Sequence, residues 1–203
     1  MRCVLVCGGE FAPQKFSIEK DDVLVAVDKG FDYIKDVAKP RYVVGDFDSL
    51  GYIPEGLEVI RHNPIKDFTD TQLALEFMSE KGYDDFVIYG GFGGRLDHTI
   101  ANIQTAYDFV KKGKKIKFVA KDCQAEFIVS DKIMNGEKGR FFSLFCFDKA
   151  EGVDIKGAKY EIKDSCLSND YPLGVSNEFT DKECHISVKK GILLLIVNDK
   201  GIA

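Results

Sequence analysis

The chain has 203 residues, 45% hydrophobic and 30% charged, and that much apolar side chain excludes disorder over most of its length. Its 28 basic and 33 acidic residues leave a net charge of −5 at a pI near 5.3, which excludes a broad footprint for nucleic-acid phosphates. No apolar run approaches the roughly 20 residues of a membrane span, and Met1-Arg2 leads too quickly into Cys3–Cys7 and Gly8-Gly9 for a signal peptide. The six cysteines are scattered without a C-x-x-C pair, so they read as reduced thiols of a cytoplasmic protein rather than a zinc site or disulfide framework.

In chain order, the first half alternates short apolar runs with helical spacing. Cys3–Cys7, Val23–Val27, Tyr42–Val44, Leu57–Ile60 and Phe86–Tyr89 read as strands, and their continuous Val and Ile content suits a parallel sheet buried on both faces. Phe31, Ile34 and Val37-Ala38 have helical spacing that Pro40 stops. Thr69 to Lys81 reads as a helix with Thr69 as N-cap, Gln72 completing a capping box, and Gly82 as its end. Leu96, Ile100, Ile103, Tyr107 and Val110 step by four, three, four and three, which predicts a helix from about Asp97 to Val110, closed by Gly113.

Near residue 114 the texture changes to short apolar runs: Ile116–Val119, Ala125–Val129, Phe141–Phe147, His185–Val188 and Ile192–Val197. Asn135-Gly136, Glu151-Gly152 and Lys190-Gly191 read as turns between them, the pattern of an antiparallel sandwich or barrel. The expected fold is therefore α/β. Residues 1–113 form a mostly parallel sheet with flanking helices, and residues 114–203 form an all-β sandwich.

Open parallel sheets bind ligands beyond the carboxyl ends of their strands. Here four such ends run into acid-rich or glycine-rich loops: Asp28-Lys29-Gly30, Gly45-Asp46-Phe47-Asp48-Ser49, Lys66-Asp67-Phe68-Thr69-Asp70 and Gly90–Gly94 followed by Arg95-Leu96-Asp97-His98. Each alone has a plain reading as a turn or helix cap. Together they suggest a polyphosphate site. Asp46 and Asp48, alternating on an extended segment, would point the same way and invite a Mg²⁺ ion between them. The glycine run lets backbone N–H groups approach phosphate, and Arg95 adds a planar fork of donors. His98 and Asn102 share a helix face.

These elements, in this order and spacing, resemble thiamine pyrophosphokinases (thiamine diphosphokinases). The strong part of the resemblance covers residues 26–106, and Gly174-Val175-Ser176-Asn177-Glu178-Phe179 is similar to the family's thiamine loop. The resemblance implies a homodimer of two-domain chains, with thiamine bound across the interface. It implies transfer of the pyrophosphoryl group of ATP to the hydroxyl of thiamine, leaving AMP. It also implies Mg²⁺ on Asp46, Asp48 and Asp70, a nucleotide cleft with Asp28, Lys66, Thr69, Arg95, Asp97, His98 and Asn102, and thiamine against Ser176 and Asn177. The base for the thiamine hydroxyl stays open between Asp97, Asp70 and none. The chain has no tryptophan, so a ring over thiamine would come from Tyr171 or Phe179.

Rival readings are a D-x-D phosphatase with Asp46 as nucleophile, a D-x-D glycosyltransferase and a non-enzymatic nucleotide sensor. Asp46 follows an internal strand rather than the first, which disfavours the phosphatase. A glycosyltransferase leaves the Gly-Gly-Arg-Leu-Asp-His loop unexplained, and a sensor has no need for three convergent acids.

Overall fold

The computed structural model describes residues 1–61 and 68–199. The chain divides into two compact units, Met1–Lys121 and Asp122–Ala203.

The first unit holds strands β1 (Arg2–Val6), β2 (Val23–Val27), β3 (Tyr42–Gly45), β4 (Glu58–Arg61), β5 (Asp85–Tyr89) and β6 (Lys115–Val119). Its helices are α1 (Gly30–Ile34), α2 (Asp70–Glu80) and α3 (Leu96–Lys111). The strands lie in the order β6-β5-β1-β2-β3-β4, and every pairing is parallel. β1 pairs with both β2 and β5, so the strand order reverses between β1 and β5. A crevice at such a switch point is where a doubly wound sheet holds its ligand. The Val-rich strands are buried on both faces as expected, with Cys3 to Val6 and Val25-Ala26 fully enclosed.

Strand β6 corrects the expected boundary at residue 114. It pairs parallel to β5 along its whole length, and the division between units comes only after Lys121. A parallel strand followed by no helix looks the same in sequence as the first strand of a β domain.

At α2, the Thr69 side chain accepts from the Gln72 backbone N–H at 3.2 Å. The Gln72 amide turns instead to Glu76 at 3.0 Å, so the cap is one-sided. Helix α3 forms where predicted, and only part of its apolar stripe is buried. Asn102, Ala106, Phe109 and Val110 are buried, whereas Leu96 is 73% and Ile100 49% exposed. The apolar stripe at the start of the helix thus faces outward.

The second unit holds β7 (Cys123–Ile128), β8 (Lys132–Asn135), β9 (Phe141–Cys146), β10 (Lys149–Lys156), β11 (Ile162–Ser168), β12 (Asn177–Glu178), β13 (Glu183–Ser187) and β14 (Leu193–Asn198). They form two antiparallel arrays, β12-β9-β14-β7 and β11-β10-β13-β8. Alternate residues, such as Phe142 and Leu144 from one array and Cys184 and Ile186 from the other, point into one shared core. Glu151-Gly152, expected as a turn, lies inside β10 instead. Gly152 has φ 65° and the register slips between Ala150 and Val153, so the glycine makes a bulge rather than a hairpin. All six cysteines are free thiols.

Candidate active site

The loops leaving β1, β2, β3 and β5 and the start of α2 line one cleft of about 900 Å³ in the first unit. Its floor is set by two neighbouring loops joined backbone to backbone. The N–H groups of Cys7, Gly9 and Glu10 donate to the carbonyls of Tyr89, Gly90 and Phe92, each at 2.8 Å. A Cβ on Gly9 would lie 2.5 Å from the carbonyl oxygens of both Gly90 and Phe92, so only glycine permits this approach. Asn102, buried on α3, donates from Nδ2 to the Gly91 carbonyl at 2.8 Å. It lines the cleft and holds the glycine loop.

Asp28, Asp46 and Asp48 each offer a carboxylate oxygen, and the three lie within 4.8 Å of one another. Asp28 arrives by non-local pairing. Its N–H donates to the Val44 carbonyl at 2.8 Å, which sets the end of β2 beside the end of β3. A Cβ on Gly45 would come within 3.2 Å of Asp28, so that glycine makes the room. Asp46 and Asp48 do not alternate on an extended segment as expected. Phe47 between them has φ 67°, and its ring is buried in the core. The left-handed turn costs on the order of 1 kcal/mol or more, and burial of the ring offsets it by roughly 2 kcal/mol. The Asp48 N–H then donates to Asp46 Oδ1 at 3.1 Å.

Asp70, at the first position of α2, feels this cluster. Burial, then the charges of Asp46, Asp28 and Asp48, push its carboxyl up to about 6. Thr71 beside it donates to the buried Cys7 sulfur at 3.5 Å, which anchors the helix start over β1. Asp28 Oδ1 is buried without a hydrogen-bond partner among the described residues. An anionic oxygen left so is costly unless a cation meets it. Clustered hard oxygens are what a Mg²⁺-sized ion binds, so these residues fit a divalent metal.

Arg95 lines the cleft and Asp97 is not among its lining residues; the two form a two-pronged pair, with Nε to Oδ1 at 3.1 Å and a terminal nitrogen to Oδ2 at 2.6 Å. The Arg95 hydrogen bond holds the Asp97 carboxyl below the usual range, which makes Asp97 a weak proton acceptor. Lys29, Thr69, Arg95 and His98 all line the cleft. Lys66 falls in residues 62–67, outside the described residues.

Sequence reasoning missed two contributors. Asp28 joins the acid cluster rather than only the nucleotide side, and the β1 exit, Gly8 to Phe11, lines the cleft. The Gly8-Gly9 pair directly after the first strand was the available signal.

In the second unit, Ser176 and Asn177 differ in kind. Ser176 is exposed with φ 60°, and its N–H donates to Ser143 Oγ at 3.0 Å. Asn177 is 4% exposed, and its side chain is engaged inside the unit. Oδ1 accepts from the N–H groups of Tyr160 and Glu178 at 3.0 and 2.9 Å, and Nδ2 donates to the Tyr160 carbonyl at 2.8 Å. Of the two candidate rings, Phe179 is fully buried and packs against Phe142 at 5.1 Å, which removes it as a cover for thiamine. Tyr171 is 65% exposed.

A family model described as the thiamin pyrophosphokinase catalytic domain matches residues 15–118, and one described as the thiamin pyrophosphokinase vitamin B1 binding domain matches residues 130–193. The chain is 31% identical over 183 residues to the thiamine pyrophosphokinase of Bacillus subtilis strain 168, covering 85% of each chain. Among solved structures, it is similar to a Bacillus subtilis thiamine pyrophosphokinase with a TM-score of 0.85 at 28% identity, covering 98% of this chain and 99% of that one. It is also similar to a thiamin pyrophosphokinase family protein from Enterococcus faecalis, with a TM-score of 0.83 at 27% identity over 98% of this chain and 100% of that one.

Proposed function

The chain belongs to the thiamine pyrophosphokinase family, and on that premise we propose that its cleft binds ATP with Mg²⁺ and passes the pyrophosphoryl group to thiamine. In this reading the thiamine hydroxyl attacks the β-phosphorus of ATP, the bond between the α-phosphate oxygen and that phosphorus breaks, AMP leaves with the bond electrons, and the hydroxyl proton is released to solvent. The attacking oxygen belongs to the substrate, so no protein nucleophile is needed. The observation that carries the reading is the orphaned buried oxygen of Asp28 within a three-carboxylate group that shares its cleft with a glycine loop.

Asp28, Asp46 and Asp48, with Asp70 beside them, would hold the metal, which when bound supplies charge neutralisation on the polyphosphate. The remaining work is positioning, which dominates phosphoryl-type transfer. The glycine loop offers backbone N–H groups. Arg95 keeps donors beyond the two that Asp97 occupies, so Asp97 orients Arg95 toward the phosphates. Thr69 caps α2 and fixes Asp70, Asn102 fixes the glycine loop, and Lys29, Lys66 and His98 add positive or donating groups on the nucleotide side.

We assign the second unit, read as a β-sandwich, to thiamine. Exposed Ser176 contacts the substrate, Asn177 holds the loop in shape, and Tyr171 is the available ring. The working form is a homodimer with thiamine held across two chains. Six free thiols support a reducing, cytoplasmic setting.

The test is incubation of the protein with ATP and Mg²⁺, with and without thiamine. AMP and thiamine diphosphate should appear together and only with thiamine. Release of inorganic phosphate or ADP, or nucleotide binding without turnover, would overturn the proposal.

A further inference from the structure

We propose that Phe11 and Tyr33 form the nucleobase platform of the cleft, on which a purine stacks while its polyphosphate runs to the acids and the glycine loop. The inference rests on the reading of the cleft as an ATP site. The two rings are stacked, with centroids 5.4 Å apart and planes within 3°. Both line the cleft and both are only half-buried.

The platform is fixed before any ligand arrives. Phe11 is braced edge-on by Phe16 at 5.4 Å and Tyr89 at 6.4 Å. The Tyr33 hydroxyl donates to the Gly8 carbonyl at 3.1 Å, which sets its ring. Little rotamer freedom remains to be lost on binding.

The carboxylates stand at the ends of β2 and β3 and at the start of α2. Phe68, the third phenyl-type ring lining the cleft, directly precedes Thr69-Asp70. Phe11 sits on the β1 exit loop, whose Glu10 N–H is bonded to the Phe92 carbonyl. The loop bearing Phe11 and the loop offered to phosphate are therefore joined backbone to backbone, and Tyr33, on α1, is tied to the same β1 exit through Gly8.

The chemistry of the platform sets its selectivity. The one hydroxyl of the pair is already given to Gly8, so the rings read stacking area rather than base edges. Purine triphosphates should be preferred over pyrimidine ones, with little distinction between ATP and GTP.

The experiment titrates 2-aminopurine riboside triphosphate, whose fluorescence falls on stacking, into wild type, Phe11→Leu and Tyr33→Leu with Mg²⁺ and without thiamine. Inorganic tripolyphosphate serves as competitor. Leucine keeps volume and removes the flat face. The variant that removes the ring facing the base should bind the purine triphosphate about tenfold more weakly, as loss of one stacked ring implies, and both variants should bind tripolyphosphate as wild type does. The ATP KM should rise while the thiamine KM holds. Unchanged purine binding in folded variants, an equal loss of tripolyphosphate, or a rise confined to the thiamine KM would overturn the platform. A wild type that binds neither ATP nor tripolyphosphate would overturn the ATP reading of the cleft itself, and the platform with it.

Discussion

Asp70 shows how one residue serves chemistry at the expense of the fold. Its carboxyl is pushed up to about 6, first by burial and then by Asp46, Asp28 and Asp48. Without metal the folded chain holds this proton more tightly than the unfolded chain does. Stability therefore falls as pH rises from about 4 through 6, and the deficit is complete above pH 6. In EDTA at pH 7.5, Asp70→Asn should melt higher than wild type, by the equivalent of roughly 1–2 kcal/mol after solvent screening. The gap should close as the pH is lowered to 4. The same variant should lose turnover by roughly 10³-fold with Mg²⁺, as should Asp46→Asn, and Asp28→Asn joins them because its carboxylate belongs to the cluster. A variant no more stable than wild type at pH 7.5 would remove the like-charge argument. More than about a tenth of wild-type kcat/KM, a loss of only ~1.4 kcal/mol, would remove the metal-ligand assignment for that residue. Ser176 and Asn177 part company in the same way. Ser176→Ala should raise the thiamine KM severalfold, the value of about one neutral hydrogen bond, and spare the ATP KM. Asn177→Ala strands the backbone groups of Tyr160 and Glu178 and should lower stability by roughly 1–3 kcal/mol, read as a lower melting temperature.

Elements were legible where a local pattern decides them and opaque where a distant partner does. The Val-rich runs of β1, β2 and β3 could only be doubly buried strands, and Thr69 to Gly82 carries its own start and stop. The acid loops were visible because each follows such a strand. The part played by Asp28 was not, because its carboxylate reaches the others through the pairing of β2 with β3. Gly152 reads as a turn in sequence and makes a bulge in β10, since only the neighbouring strands decide whether the chain reverses or continues. The stripe on α3 fixes the helix by its spacing but not which face is buried, since that too is decided by distant partners. The clamp between the β1 and β5 exits is an element-scale device of this hidden kind. Gly9→Ala drives a methyl into two carbonyl oxygens at 2.5 Å, so one loop must move, at a cost of roughly 1–3 kcal/mol. The expected result is a raised ATP KM with the thiamine KM nearly kept. An unchanged ATP KM would mean that the clamp does not shape the nucleotide site.

At the scale of the whole molecule the acids and the loop we assign to thiamine lie in different units, and the proposed dimer makes a prediction that neither unit makes alone. Two defective variants are needed, one in each unit. Asp46→Asn removes a metal ligand. Ser176→Lys places a positive charge on an exposed position, where it need not disturb packing, and repels the positively charged thiazolium ring. Each should be nearly inactive alone. If thiamine is held across two chains, co-expression produces mixed dimers in which one site pairs intact acids with an intact loop from the other chain, while the second site carries both defects. Random pairing puts half of the dimers in the mixed class, each with half of its sites working, so about a quarter of wild-type activity should return. If one chain supplies both halves of the site, every site in the mixture keeps one defect and nothing returns. Light scattering on the wild type gives the independent control, with an expected mass of twice 22.7 kDa. A fully active species of one-chain mass would overturn the dimer, and a two-chain mass without complementation would keep the dimer and overturn the shared site.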